Sequence, residues 1–120
     1  MKHLFSISRP RFWLYTLGPF ALGCLAAAPF VASWNPWLIG LGALYFSFPA
    51  NLLIYGINDI FDYQTDKLNQ KKQQYEKLVQ PKEHRSLVRA IVLSNLPFLI
   101  AAGLVVRPLA LGCLAAFLFF

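Results

Sequence analysis

Acidic side chains are scarce in this 120-residue chain, which has 5 Asp and Glu residues against 11 Lys and Arg residues. Between Phe12 and Ile57 there is no acid at all. Ion pathways through membranes are typically lined by ionisable groups within their helices. The gap therefore argues against a channel or transporter segment, which stays the alternative from another functional class.

Metal-binding cysteine and histidine patterns are also missing. Cys24 and Cys113 both lie in apolar runs, and His3 and His84 lie in polar flanks without a ligand at useful spacing. Zinc and redox motifs need such residues at short, defined separations. The sequence therefore predicts no thiolate or imidazole metal centre, and both cysteines are interpreted as small packing residues.

Charge is low as well, at 13% of residues against 58% hydrophobic. Apolar runs of about 18 residues or more predict membrane-spanning helices. The final run would rise only about 18 Å, against roughly 30 Å of hydrocarbon, so we expect residues 1–120 to be the amino-terminal part of one larger membrane domain. The predicted fold is an all-α, multi-pass transmembrane bundle with spans at about 12–32, 37–61 and 87–106 and an incomplete fourth at 109–120.

Basic residues are confined almost entirely to two segments, the amino-terminal flank and the stretch from Lys67 to Arg89. Lys and Arg accumulate on the cytoplasmic side of membrane proteins. Both segments are therefore predicted to be cytoplasmic, with two spans between them and a cytoplasmic loop at about 64–86. The net charge of +6 then reports orientation in a cell membrane, and no nucleic-acid partner is expected.

Three of the acids cluster at the inner end of the second span, in Asn58-Asp59-Ile60-Phe61-Asp62-Tyr63-Gln64-Thr65-Asp66. At about 100° per residue, Asn58, Asp59, Asp62 and Asp66 share one arc of roughly 100° on a helix. Carboxylates at this spacing repel each other, and at a helix carboxyl terminus they oppose the macrodipole. The cluster therefore predicts a cation, and oxygen ligands of this kind suit Mg²⁺ with a phosphate-bearing substrate. The alternative is a set of acids that only solvates the helix end.

The basic loop after this cluster carries apolar residues at helical spacing, from Leu68 to Val79. The pattern predicts a short amphipathic helix on the headgroup surface, ended by Pro81. Such a loop is a candidate lid over the acidic cluster, and its lysines, together with Lys82 and Arg85, would neutralise a diphosphate. The alternative is a cytoplasmic loop that attracts anionic lipid.

Two further features concern packing within the spans. Pro49 removes a backbone donor in the middle of the second span and predicts a kink, and Asn51 is expected to bond to a neighbouring helix rather than to line a cavity. The heptapeptide Ala-Leu-Gly-Cys-Leu-Ala-Ala occurs at 21–27 and again at 110–116. Its glycines, Gly23 and Gly112, are predicted to permit close helix approach.

At the acidic cluster the sequence resembles the UbiA superfamily of intramembrane prenyltransferases, whose first acidic motif is N-x-x-x-D-x-x-x-D at the cytoplasmic end of the second transmembrane helix. Asn58, Asp62 and Asp66 match that motif position by position. The flanks are most similar to the branch that includes lycopene elongases: Ser8-Arg9-Pro10-Arg11-Phe12-Trp13 before the first span, and Asp66-Lys67-Leu68-Asn69-Gln70-Lys71-Lys72 after the motif.

The resemblance implies a larger helical bundle with a second Asp-rich motif on a later helix. No candidate for that motif follows Asp66 here, because only Glu76 and Glu83 remain, so the chain is expected to be inactive alone. For the whole protein it implies Mg²⁺-dependent transfer of a prenyl group from a polyprenyl diphosphate to a lipophilic acceptor within the lipid bilayer. The acceptor would be a carotenoid such as lycopene, or alternatively an aromatic quinone precursor.

The roles implied for individual residues follow the motif. Asp62 and Asp66 are the expected catalytic residues, and they are expected to bind the metal with Asn58 and Asp59. The diphosphate is expected to contact Asn58, Arg9, Lys82 and Arg85. A membrane-anchoring module with no chemistry is the remaining alternative, and it predicts that replacing Asp62 or Asp66 has no effect on function.

Overall fold

The computed structural model describes residues 2–69, 78–105 and 108–119, and within these residues it contains helices and no strand. Two 3₁₀ turns, Pro10–Phe12 and Ala28–Phe30, flank the second helix. The α-helices, in chain order, are α1 (Lys2–Ile7), α2 (Leu14–Ala27), α3 (Pro36–Phe61), α4 (Tyr63–Leu68), α5 (Pro81–Val105) and α6 (Pro108–Phe119).

By length and composition, α3 and α5 are each able to cross a membrane. A third span is present if His3–Phe12 and Leu14–Phe30, which meet at a bend of 58°, are counted together. The predicted all-α membrane fold is confirmed by these helices.

The first predicted span, 12–32, is less regular in the structure than its hydropathy suggests. The α-helix ends at Ala27 and continues only as the 3₁₀ turn Ala28–Phe30. Pro29 has no backbone N–H to donate to the preceding turn. Apolar composition does not register the missing hydrogen bond, so the apolar run 12–32 is longer than the α-helix within it.

The third predicted span, 87–106, lies in α5, which begins before the apolar run. Pro81 starts α5 and does not end a helix before it. The prediction that Pro81 ends an amphipathic helix is therefore wrong. Proline suits the first helical position, where its missing N–H has no partner to lose. The backbone N–H of Gln80 donates to Glu83 Oε2 at 3.0 Å, which is half of a capping box. Residues 70–77 of the predicted amphipathic helix lie outside the described residues.

Helix α3 is the centre of the packing, with α1, α2 and α5 against it. A Cβ added at Gly56 would lie 3.0 Å from Ile91 Cδ1, so this glycine allows α3 and α5 to approach closely. The close approach predicted at Gly23 and Gly112 is not present in the described residues, since nothing lies within 4 Å of a Cβ built at either. Helices α3 and α5 run antiparallel, as three contacts along their length show: Gly56 with Ile91, Pro49 with Asn95, and Tyr45 with Phe98.

Around Pro49, backbone carbonyls of α3 accept hydrogen bonds from side chains. Asn51 Nδ2 donates to Phe46 O at 2.9 Å and to Thr16 Oγ1, on α2, at 2.7 Å. Asn95, on α5, donates its Nδ2 to Pro49 O at 3.1 Å. The prediction that Asn51 bonds to another helix is confirmed.

Candidate functional site

The predicted acidic motif lies where α3 passes into α4. Asp62 separates the two helices with φ −85° and ψ 4°, yet helical hydrogen bonds continue across it. Its N–H donates to Asn58 O, and its carbonyl accepts from Asp66 N, both at 2.8 Å. The motif therefore follows a nearly continuous helical path, and the one-sided arrangement expected from the spacing applies to the folded chain.

Burial divides the four predicted ligands into two pairs. Asp59 and Asp66 are only 8% and 7% exposed, whereas Asn58 and Asp62 are exposed. Residues seven apart are separated by about two helical turns and lie on the same side of a helix. Residues four apart are separated by about one turn and lie on the same side to within about 40°. The acidic arc therefore crosses the edge of the packed face of α3, with one pair turned towards the protein and the other towards the open side.

The buried carboxylate of Asp59 forms an ion pair with Arg9, whose Nη2 lies 2.7 Å from Asp59 Oδ1. The guanidinium also lies over the ring of Tyr55, with Cζ 4.8 Å from the ring centroid. A cation over an aromatic face is stabilised by the ring quadrupole. The structure thus brings together Arg9, predicted to contact diphosphate, and Asp59, predicted to bind metal.

The segment that carries Arg9 forms a packed corner between α1 and α2, where the chain bends by 58°. Ser8 is fully buried, and its carbonyl accepts from Trp13 Nε1 at 3.1 Å. Phe12 packs against Tyr55, with ring centroids 5.9 Å apart. The amino-terminal flank is therefore the segment that places a guanidinium against the end of α3.

The other predicted diphosphate contacts, Lys82 and Arg85, lie in the first turns of α5 and are exposed. The antiparallel register of α3 and α5 places this end of α5 level with the acidic motif. His84, between them in sequence, packs against Tyr63 in a T-shaped arrangement with ring centroids 5.7 Å apart. The structure thus places both cations at the same end of the bundle as the acidic motif, and it shows no contact between them and the acids within the described residues.

Two features of this end of the bundle were not predicted: the Arg9–Asp59 pair and the packing of His84 on Tyr63. Each joins residues more than twenty positions apart in sequence. No local spacing indicates such a pair.

The donor chemistry of the motif fits Mg²⁺, although the protein supplies only part of a coordination shell. Within the described residues, no three His, Cys, Asp or Glu side chains converge on one point. Mg²⁺ usually keeps water and takes one or two carboxylates together with phosphate oxygens. The exposed Asp62, with Asn58 one turn before it, provides such a partial donor set, and Asp66, one turn further along the helical path, is the buried member of the motif.

Curated proteins similar to this chain share one theme in their names. A lycopene elongase/hydratase of Corynebacterium glutamicum is 42% identical over 94 residues, which cover 78% of this chain and 31% of that protein. A lycopene elongase/hydratase of Haloarcula japonica is 37% identical over 119 residues, covering 98% and 40%. A C(50) beta-cyclic carotenoids biosynthesis protein of a Dietzia species is 38% identical over 99 residues, covering 81% and 22%.

The chain thus spans less than half the length of these curated relatives. No family model matches it, and no solved structure matches it. The expected similarity to lycopene elongases is confirmed, while membership of the wider prenyltransferase superfamily stays a prediction. Over most of its own length, the chain is similar to part of several proteins named for carotenoid biosynthesis.

Proposed function

We propose that the full-length protein transfers a prenyl group from a polyprenyl diphosphate to a carotenoid such as lycopene, in a Mg²⁺-dependent reaction at the acidic end of α3. The observation that carries the proposal is the matching motif residue Asp62, exposed beside Asn58 at the end of a membrane-length helix. The similarity to lycopene elongase/hydratases supports the choice of a carotenoid.

In this proposal the chain supplies binding and electrostatics. Asn58, Asp62 and Asp66 would hold Mg²⁺, which when bound would draw charge onto a leaving diphosphate. Arg9, and the exposed Lys82 and Arg85 at the start of α5, would oppose the remaining negative charge. With the diphosphate held at this end, the isoprenoid tail and the acceptor would lie in the hydrocarbon region of the bilayer.

The decisive experiment measures prenyl transfer in membranes that contain the full-length protein, a polyprenyl diphosphate and lycopene, with products identified by mass. Asp62→Ala and Asp66→Ala should each reduce Mg²⁺-dependent turnover by more than about a hundredfold, because preorganised charge stabilisation is worth about that much per group. Gln64→Ala is the matched control, since Gln64 is exposed on α4 between the two acids, and its turnover should not change.

Three outcomes would contradict this function. Normal turnover in both aspartate variants would remove the acidic cluster from the reaction. Prenylation of an aromatic quinone precursor in place of lycopene would keep the chemistry and replace the acceptor. Turnover unaffected by a chelator would remove the role of Mg²⁺.

A further inference from the structure

The Arg9–Asp59 ion pair joins residues 50 positions apart and lies at the boundary between the packed corner and the acidic motif. Both side chains are mostly shielded, with 17% of Arg9 and 11% of Asp59 exposed. A charged pair of this kind is a strong hydrogen bond when solvent is largely excluded. It neutralises one of the three acids of the motif before any cation binds.

Arg9 is held from several directions. Its backbone is in the left-handed region, with φ 50° and ψ 70°, which is disfavoured for residues other than glycine. Such conformations persist where surrounding contacts hold them, and they are frequent at functional sites. Here the contacts are the ring of Tyr55 and the carboxylate of Asp59.

The position of Asp59 differs from that of Asp62 in a way that separates their roles. Asp62 is exposed, whereas Asp59 is buried and already has a cationic partner at 2.7 Å. A divalent cation at Asp59 would compete with the guanidinium for the same carboxylate. A guanidinium, by contrast, has five N–H donors, so its bond to Asp59 is compatible with contacts to a second anion.

We propose that Asp59 is a positioning residue that holds the Arg9 guanidinium towards a diphosphate group bound at the end of α3, rather than a ligand of the metal. This inference rests on the proposed function and assigns Asp59 a different role from its neighbours in the motif. Asp59 acts through Arg9, and its removal should therefore weaken the binding of diphosphate without weakening the binding of metal.

The test uses the full-length protein in detergent micelles and measures binding of inorganic pyrophosphate in the presence of Mg²⁺ by titration calorimetry. Arg9→Gln and Asp59→Asn should each weaken this binding by about tenfold, as expected for loss of one charge-assisted contact. The double variant should be no weaker than Arg9→Gln alone, because both changes remove the same contact. Arg11→Gln is the matched control, since Arg11 is exposed and lies over the ring of Phe12.

A second titration, with Mg²⁺ alone, separates positioning from metal ligation. Asp62→Asn should weaken metal binding. Asp59→Asn should leave the affinity for Mg²⁺ within about twofold of the wild type, which is a smaller change than the loss of a charged contact produces. Equal weakening by the two variants would make Asp59 a metal ligand and overturn the proposal. Additive losses in the Arg9 and Asp59 double variant would also overturn it.

A structural role alone would give a different pattern. Unfolding of each variant by SDS in metal-free mixed micelles measures how far the substitution destabilises the protein. Asp59→Glu keeps the charge and should recover most of the pyrophosphate affinity. If Asp59→Glu folds as the wild type does and recovers no affinity, the positioning role is wrong. If the wild type itself does not bind pyrophosphate, the proposed function fails; if it binds and Asp59→Asn binds equally well, only the positioning role fails.

Discussion

The two halves of α3 are both largely apolar and differ in their surroundings. Between Trp37 and Leu44 most large apolar side chains are exposed, with Trp37 at 81% and Leu44 at 54%. From Tyr45 to Asp59 the helix contains every buried residue that it has among those described, including Leu52 and Asn51 at 0%. In a membrane an apolar side chain gains little from leaving lipid for protein. Close packing and polar contacts therefore decide which half is held by the rest of the protein, and both are concentrated towards the acidic end.

The largest effect should come from filling the close approach of α3 and α5. Gly56→Leu should lower the free energy of unfolding by about 3 kcal/mol, because its side chain would overlap Ile91 and Leu87. Gly40→Leu is the control, since nothing lies within 4 Å of a Cβ there and both variants gain the same helix propensity. Unfolding by SDS in mixed micelles measures both; equal values would erase the difference between the halves.

Truncating one leucine in each half gives the next comparison. Leu52→Ala should cost about 2 kcal/mol, towards the low end for a buried leucine because lipid rather than water is the alternative environment. Leu44→Ala, in the exposed half, should cost less than about 0.5 kcal/mol. Thermal unfolding in detergent would measure both. A large loss for Leu44→Ala would mean that its face is covered in the full-length protein.

The polar junction at Pro49 should be sensitive to a change that keeps side-chain size. Asn51→Leu removes the donor shared by Phe46 O and Thr16 Oγ1 and should cost about 1.5 kcal/mol. Ser94→Ala, whose hydroxyl donates to Ile91 O within its own helix, serves as the control. Equal losses in SDS unfolding would show that the junction contributes no more than a local bond.

The smallest effect expected is at Asn95. Its Nδ2 makes a single interhelical bond, to Pro49 O, and bonds of this kind in membrane proteins average about 0.6 kcal/mol. Asn95→Leu should therefore cost about that much. In a double variant with Asn51→Leu, the two losses should add to within about 0.5 kcal/mol if the bonds act independently. A larger combined loss would show that Pro49 couples α2 and α5 through α3.

Much of the architecture was accessible from local composition. Apolar length predicted α3 closely, and the acidic end of that helix was recognised from residue spacing alone, because helical periodicity relates neighbours four and seven apart. The prediction of a helix boundary failed at one proline. Pro81 was expected to end a helix and begins α5, because position within a helix, rather than residue type, decides whether the missing N–H is costly.

Sequence by itself determined that the chain is helical, that its helices suit a membrane and that Asn58, Asp62 and Asp66 share one helical side, since each depends on local spacing and composition. Only the tertiary structure decided which acids are buried, that Arg9 is the partner of Asp59 and that Gly56, rather than Gly23 or Gly112, allows close packing. Those outcomes depend on which distant segments meet, and the free energy of such contacts comes from geometry and solvent exclusion that no local pattern encodes.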